Sequence, residues 1–135
     1  MSLYSFLVVE DSPTMRQLVT FSLKRIRDVK IVEATDGVDA LKKMSEEKFN
    51  LIIADINMPL MDGLKLLSII RKDPNFMSIP VIIVTTEGAE VDKEKGLKLG
   101  ANAYLTKPIQ TNALLNKVKE LLHKNRVRKL SLRTK

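Results

Sequence analysis

The sequence predicts an α/β fold in which a doubly wound, five-stranded parallel sheet carries helices on both faces. Two observations predict it: five short apolar segments recur along the chain, and the stretches between them are long enough for helices. Such segments are typical of strands buried on both faces, and their alternation with helices is typical of a parallel sheet with right-handed crossovers. A chain of 135 residues without cysteine suffices for one conventional core and excludes disulfides and thiolate metal sites.

Each predicted strand is an apolar segment of four to seven residues. Segments this short, rich in valine and isoleucine, favour strands over buried helices. They span residues 4–10, 29–34, 50–54, 80–85 and 103–106. A helix after each strand gives a (βα)5 chain.

Capping signals and apolar stripes predict four of the five helices. Ser12-Pro13, Asp36-Gly37 and Asp62 precede the first three, and Asp73-Pro74 ends the third. The stripes consist of Met15, Leu18, Val19 and Ile26 in the first helix, Val38, Leu41 and Met44 in the second, Leu66, Leu67 and Ile70 in the third, and Leu114, Leu115, Val118, Leu121 and Leu122 in the fifth.

The fourth helix, predicted over residues 89–99, has the weakest pattern. It has few apolar positions, and Gly96 lies inside it. Glycine in a helix interior costs about 1 kcal/mol relative to alanine. This helix is therefore expected to be the least stable element of the fold.

The positive charge belongs to the end of the chain. Net charge is +7, but residues 123–135 hold six Lys or Arg and no acid, which leaves 17 basic against 16 acidic residues before them. This segment is interpreted as a basic tail or the end of the last helix, and contact with an acidic partner or weak, non-specific nucleic-acid binding stays open. There is no room after residue 122 for a helix-turn-helix, so specific DNA binding is not expected.

The apolar segments are also too short to span a bilayer, and the first residues lack the pattern of a secretory signal. We therefore expect a soluble, cytoplasmic protein that does not insert into membranes.

Acidic and basic side chains follow the predicted strands at the point where each strand ends. Glu10-Asp11, Asp55, Thr85-Thr86 and Lys107-Pro108 occupy these positions. The carboxyl ends of parallel strands meet at one edge of a sheet, where functional groups gather. Three acids packed together repel unless a cation lies among them, and an oxygen-only cluster suits Mg²⁺. Carboxylate, magnesium, lysine and hydroxyl groups indicate phosphoryl transfer, in which an aspartate can be the nucleophile.

These residues carry a family resemblance. The sequence resembles a response-regulator receiver domain of the CheY type over roughly residues 4 to 122. The matching residues are Glu10-Asp11, Asp55, Asn57-Met58-Pro59, Asp62-Gly63, Thr85, Tyr104 and Lys107-Pro108. The resemblance implies a receiver domain over residues 1–122 and the flavodoxin/CheY-like strand order 2-1-3-4-5, which the sequence alone does not establish.

The resemblance also implies roles for the residues at the sheet edge. Asp55 would be the phosphoacceptor, becoming 4-aspartylphosphate. Glu10, Asp11, Asp55 and the backbone carbonyl of Asn57 would hold Mg²⁺, with Glu10 acting directly or through water. Lys107 would pair with phosphoryl oxygens, and a cis peptide bond before Pro108 would direct its side chain toward the acids.

A second group of residues would connect phosphorylation to the surface. The Thr85 hydroxyl would move to the phosphoryl group, and Tyr104 would turn inward into the space that Thr85 leaves. Thr86 and Glu87 would line the route by which phosphodonor or water reaches Asp55. Thr86 is larger than the residue usual at its position, which predicts slower access to Asp55.

The function implied is that of a two-component signalling switch. A sensor histidine kinase or phosphotransfer protein would donate from phosphohistidine, and a target protein would read the face of the fourth helix, fifth strand and fifth helix. Asn57 and Glu87 together hint at a chemotaxis role. The protein would catalyse its own phosphorylation and dephosphorylation without being an enzyme for a separate substrate.

Two other functions compete with this one. A flavin- or nucleotide-binding module of the same fold would need a glycine-rich loop after the first strand to hold phosphate. The loop here, EDSPTMRQ, is acidic and lacks glycine. A degenerate receiver without phosphoryl chemistry is disfavoured, because Glu10, Asp11, Asp55, Thr85 and Lys107 are all present.

Overall fold

The computed structural model describes residues 4–86 and 88–133, with side chains up to residue 124. The strands are β1 (Tyr4–Val9), β2 (Val29–Ala34), β3 (Leu51–Asp55), β4 (Val81–Thr86) and β5 (Ala103–Lys107). The helices are α1 (Pro13–Leu23), α2 (Gly37–Glu46), α3 (Gly63–Lys72), α4 (Glu90–Leu99) and α5 (Thr111–Arg133). Glu87, one of the residues predicted to line the route to Asp55, lies outside the described residues.

All five strands are parallel and lie in the order β2-β1-β3-β4-β5. The order reverses between β1 and β3, which is the point at which open α/β sheets place functional groups. The predicted fold class and the implied strand order are both confirmed. The strands begin and end within one residue of their predicted bounds.

The core forms two layers, one on each face of the sheet. Side chains alternate along each strand, so Leu7 and Val9 of β1 point to one layer while Phe6 and Val8 point to the other. One layer is covered by buried side chains of α2 and α3, and the second by those of α1 and α5. The central strand β3 is buried along its whole length.

The capping predictions hold for the first three helices. The Ser12 hydroxyl accepts a hydrogen bond from the Met15 backbone N–H at 3.3 Å. In the same way, the Asp36 carboxylate accepts from the backbone N–H of Asp39, and the Asp62 carboxylate accepts from that of Lys65. Helix α3 ends at Lys72, before Asp73. These caps satisfy N–H groups that have no partner within the helix.

Two of the predicted apolar stripes are partly wrong. Leu18 and Val38 are 43% and 56% exposed, and α1 ends at Leu23 before reaching Ile26. In α2 the buried residues are Gly37, Ala40 and Met44. Gly37 and Ala40 face the sheet there and let the helix approach it closely. Met44 and the partly buried Leu41 belong to the core as predicted, and Val38 does not.

Helix α4 is held to the sheet by few contacts, as its sequence predicts. Among its residues only Gly96 is buried, and Ala89 at its N-terminus provides no side-chain cap. A Cβ built on Gly96 would lie 2.1 Å from Cδ1 of Ile83 in β4. Gly96 therefore weakens the helix but allows it to lie directly on the strand.

Arg71 joins the segments around α4. Its guanidinium donates to the backbone carbonyls of Gly100, Met77 and Ile79 and to the Asn102 side chain, at 2.8 to 3.1 Å. It thereby ties the loop after α4 to the loop before β4.

Helix α5 continues into the basic segment, and its backbone is helical to Arg133. This is one of the alternatives that the sequence leaves open. Within the described residues, no helix is both long and apolar enough to cross a membrane.

Candidate phosphoacceptor site

Asp55 is the last residue of β3, and its side chain is only 1% exposed. One carboxylate oxygen, Oδ2, lies 2.8 Å from the Lys107 ammonium at the end of β5. The other, Oδ1, accepts from the Asn57 backbone N–H at 3.1 Å. A buried carboxylate held from both sides in this way keeps one position at the edge of the sheet.

Two further acids lie beside Asp55. One carboxylate oxygen from each of Glu10, Asp11 and Asp55 lies within 4.8 Å of the others. Glu10 is buried, and Asp11 is exposed. The sequence therefore predicted correctly that the ends of β1 and β3 bring three carboxylates together.

The surroundings of Glu10 disfavour its charged form. Burial raises the pKa of Glu10 to about 8, and the hydrogen bond and charge of Asp55 add to this, against the Ser12 backbone N–H and the Lys107 charge. Glu10 therefore keeps its proton to a higher pH than an ordinary glutamate does. A divalent cation among these oxygens would favour the charged carboxylates instead, so the donor set fits a hard ion.

Lys107 is the positive group of the site. Burial opposes its charge, but the hydrogen bond and charge of Asp55, helped by Glu10 and Asp11, raise the pKa of Lys107. The peptide bond from Lys107 to Pro108 is cis, as the resemblance implied. Lys107 therefore stays charged beside the carboxylate.

The two threonines at the end of β4 have different partners. The buried Thr85 hydroxyl donates to the Leu105 carbonyl at 3.4 Å, in β5 and away from Asp55. The exposed Thr86 hydroxyl accepts from the Asn57 side-chain amide at 3.0 Å. The Asn57-Thr86 hydrogen bond joins the loops after β3 and β4 beside Asp55, and sequence reasoning did not predict it.

Tyr104 is half-buried in β5, next to α4. The ammonium of Lys93 in α4 lies 4.1 Å from the centre of its ring. A cleft of about 400 Å³ opens between the loops after β4 and β5, and Thr85, Thr86, Lys93 and Lys107 are among the residues that line it. Lys93 was missed because nothing in the sequence distinguishes it from Lys95 or Lys98 of the same helix.

The family model for the response regulator receiver domain matches residues 6–119 of the chain. The chain belongs to this family. Receiver domains are phosphoacceptor switch proteins of two-component signalling that bind divalent metal, and they lose their phosphoryl group by autodephosphorylation as a general property.

Individual relatives agree with the family assignment. The chemotaxis protein CheY1 of Helicobacter pylori is 38% identical over 120 residues, which are 88% of this chain and 97% of CheY1. The chemotaxis response regulator CheY4 of Vibrio cholerae has 31% identity and a TM-score of 0.81, and the match covers 89% of this chain and 99% of CheY4.

A third relative was solved with a bound metal ion. The receiver domain of the sensor histidine kinase PA1611 from Pseudomonas aeruginosa was solved with a magnesium ion coordinated in its active-site cleft. It has 25% identity and a TM-score of 0.80, and the match covers 89% of this chain and 98% of the PA1611 domain.

Proposed function

We propose that Asp55 accepts a phosphoryl group from a phosphohistidine of a sensor histidine kinase or phosphotransfer protein, in a Mg²⁺-dependent reaction. One observation carries the proposal: a buried carboxylate lies 2.8 Å from a lysine ammonium and within 4.8 Å of two further acids. Charge of both signs is thus concentrated around one potential nucleophile. Positioning and charge neutralisation of this kind are what phosphoryl transfer requires.

In the transfer step, a carboxylate oxygen of Asp55 forms a bond to phosphorus as the bond from phosphorus to the histidine nitrogen breaks. That nitrogen keeps the electron pair and takes a proton. Lys107 neutralises charge on the phosphoryl oxygens. Water later attacks the phosphorus of the acyl phosphate, which releases inorganic phosphate and regenerates the Asp55 carboxylate. The protein therefore catalyses only its own phosphorylation and dephosphorylation.

The proposed metal ligands are Glu10, Asp11, Asp55 and the backbone carbonyl of Asn57, with Glu10 acting directly or through water. Mg²⁺ would supply positive charge to the transferring group. The side-chain donors are all oxygen, which agrees with the preference of this ion. The Asp55 hydrogen bond to the Asn57 backbone N–H holds the start of this loop against β3.

The output follows from Thr85 and Tyr104. On phosphorylation, the Thr85 hydroxyl would leave the Leu105 carbonyl for the phosphoryl group, and Tyr104 would turn inward. The surface of α4, β5 and α5 would then bind a separate target protein. The proposal includes a chemotaxis-type role, which the names of the relatives support. It also includes a cytoplasmic location, where histidine kinases obtain their ATP. It does not include a nucleic-acid partner.

The test is the intact mass of the protein after incubation with acetyl phosphate and Mg²⁺. We expect gain of one phosphoryl group in the wild-type protein, no gain in Asp55→Asn, and no gain when EDTA removes the metal. Asparagine retains the shape of the side chain and removes the nucleophilic oxygen. Circular dichroism of Asp55→Asn would exclude unfolding as the cause.

Gain of mass in Asp55→Asn equal to that of the wild type would show that another residue accepts the group. If the folded wild-type protein gains no mass from acetyl phosphate and then none from a panel of phosphorylated histidine kinases, that pair of results would contradict the phosphoacceptor proposal. Gain in the presence of EDTA would contradict the metal requirement.

Thr86 is proposed to slow access to Asp55, since its hydroxyl holds the Asn57 amide at 3.0 Å. We expect Thr86→Ala to accept phosphoryl groups from acetyl phosphate roughly 2- to 10-fold faster, the factor that one exposed hydrogen bond supplies. Thr86→Ser keeps the hydroxyl and is expected to stay close to the wild-type rate. An alanine variant that reacts no faster would contradict this role.

A further inference from the structure

The contact between Lys93 and Tyr104 joins α4 to β5 by a charged group over a ring. The Lys93 ammonium lies 4.1 Å from the ring centre, well within the distance at which a cation is attracted to an aromatic face. The Lys93 side chain is 29% exposed, so the contact is partly shielded from water. The Tyr104 side chain and then Glu90, 3.7 Å away, raise the pKa of Lys93, which keeps the cation charged.

The position of Tyr104 relative to Thr85 follows from the strand register. In the β4-β5 pair, Ile83 lies opposite Tyr104, and Thr85 lies opposite Thr106. Residues two apart in a strand share a face, so the side chains of Thr85 and Tyr104 are diagonal neighbours on the same face of the sheet. The Thr85 hydroxyl donates to the Leu105 carbonyl, in the residue that follows Tyr104. Movement of Thr85 therefore changes the surroundings of the Tyr104 ring.

Little else holds α4 in place near this ring. Only Gly96 among its residues is buried, and Val91, Leu97 and Leu99 are all exposed. A single side-chain contact is then a large share of what fixes the first turns of α4 against β5. An element with so few contacts can exchange between two arrangements at low cost in free energy.

We propose that Lys93 is a positioning residue that holds the Tyr104 ring against α4 in the phosphate-free arrangement and so sets the threshold of the switch. This inference rests on the proposed function, in which Tyr104 turns inward after phosphorylation. Inward rotation moves the ring away from the Lys93 ammonium and breaks the contact. The contact therefore stabilises the phosphate-free arrangement. Phosphorylation must supply enough free energy to break the contact before Tyr104 can turn inward.

Removing the cation is expected to favour the switched arrangement. Beryllofluoride with Mg²⁺ is a suitable probe, since it occupies the place of a phosphoryl group on a carboxylate without a covalent step. We expect Lys93→Met to bind beryllofluoride roughly two- to fivefold more tightly than the wild type, which corresponds to the lower range for a cation over an aromatic ring that water still partly reaches. Isothermal titration calorimetry on the full chain measures this affinity.

Three control variants separate the ring contact from other effects. Lys93→Arg keeps a cation over the ring and is expected to bind the probe as the wild type does. Lys95→Met removes an exposed lysine from the same helix and is expected to change nothing. Glu90→Gln removes the carboxylate 3.7 Å from Lys93 but leaves the ammonium over the ring, and it is expected to keep the wild-type affinity within about twofold.

A double-mutant cycle provides the decisive readout. In a Tyr104→Leu background, Lys93→Met is expected to leave the affinity for beryllofluoride unchanged, because the ring that the cation contacts is absent. If the effect of Lys93→Met persists in that background, Tyr104 is not the partner through which Lys93 acts. Lys93→Gln provides a second neutral variant should the methionine variant fold poorly.

The outcomes distinguish this inference from the proposed function. The proposed function is supported if the wild-type protein binds beryllofluoride and Asp55→Asn does not. If Lys93→Met then binds it with the same affinity as the wild type, only the proposed role of Lys93 is overturned. A folded wild-type protein that does not bind beryllofluoride with Mg²⁺ overturns both.

Discussion

Replacing Lys107 with methionine is expected to slow phosphoryl acceptance from acetyl phosphate by roughly 100- to 1000-fold, the loss usually caused by removing one group that stabilises developing charge. The Lys107 ammonium lies 2.8 Å from Asp55 Oδ2, in direct contact with the proposed nucleophile. Methionine retains the length and apolar stem of the side chain and removes the charge. The time course of phosphorylation by intact mass, at saturating Mg²⁺, measures the effect.

The affinity for Mg²⁺ distinguishes a Lys107→Met variant whose site is distorted from one that lacks only the lysine ammonium. Lysine and Mg²⁺ compete for the same carboxylates, so removal of the ammonium is expected to tighten Mg²⁺ binding. Lys95→Met is the matched control, because this lysine of α4 is exposed and is not among the residues that line the cleft. Wild-type kinetics in Lys107→Met would contradict the role of this residue, and weakened Mg²⁺ binding would indicate that the site has been distorted.

Alanine at position 63 is expected to destabilise the protein by about 3 kcal/mol, a large effect for one methyl group. A Cβ on Gly63 would lie 2.3 Å from the Asp55 carbonyl oxygen and 2.8 Å from the Ile56 Cα. Both neighbours are backbone atoms at the end of the buried strand β3, so neither can rotate away. Urea denaturation of the metal-free protein measures the loss.

Gly37 provides a closely matched control for Gly63. Both glycines are buried first residues of a helix and follow an aspartate that caps it. A Cβ on Gly37 would meet the Met61 side chain, 2.7 Å from its sulfur, and methionine can move aside. Gly37→Ala is therefore expected to change the free energy of unfolding by no more than about 1 kcal/mol. Equal losses in the two variants would show that the backbone contact at Gly63 is not the cause.

The sheet could be predicted from sequence because its strands are buried on both faces. A segment such as LIIA before Asp55 has no polar side chain, and its bounds follow from composition alone. The helices were harder because they bury only one side. In α2, the core-facing side carries Gly37 and Ala40, whose small size admits close packing, while the more apolar Val38 is exposed. Hydrophobicity alone cannot identify such a face.

The central part of the site could be predicted because topology determines it. Parallel strands bring their carboxyl ends to one edge, so Glu10, Asp55 and Lys107 meet without knowledge of side-chain conformation. Contacts that depend on two side-chain rotamers could not be predicted. The pairs Asn57-Thr86 and Lys93-Tyr104 each join separate elements through flexible side chains. Asn57, Thr86 and Tyr104 stand out in the sequence individually, but nothing there indicates which side chains they contact.

The position of β1 inside the sheet has a consequence for how the chain is made. Tyr4–Val9 pairs with β2 on one side and with β3 on the other, and Phe6 lies opposite Leu51. Because β3 follows β1 in the chain, β1 lacks one of its neighbours until β3 has been synthesised. During that interval an apolar strand has an unpaired edge, the condition under which nascent chains associate wrongly. Substitutions that lengthen the interval or delay β3 should lower the yield of folded protein without changing the stability of molecules that have already folded.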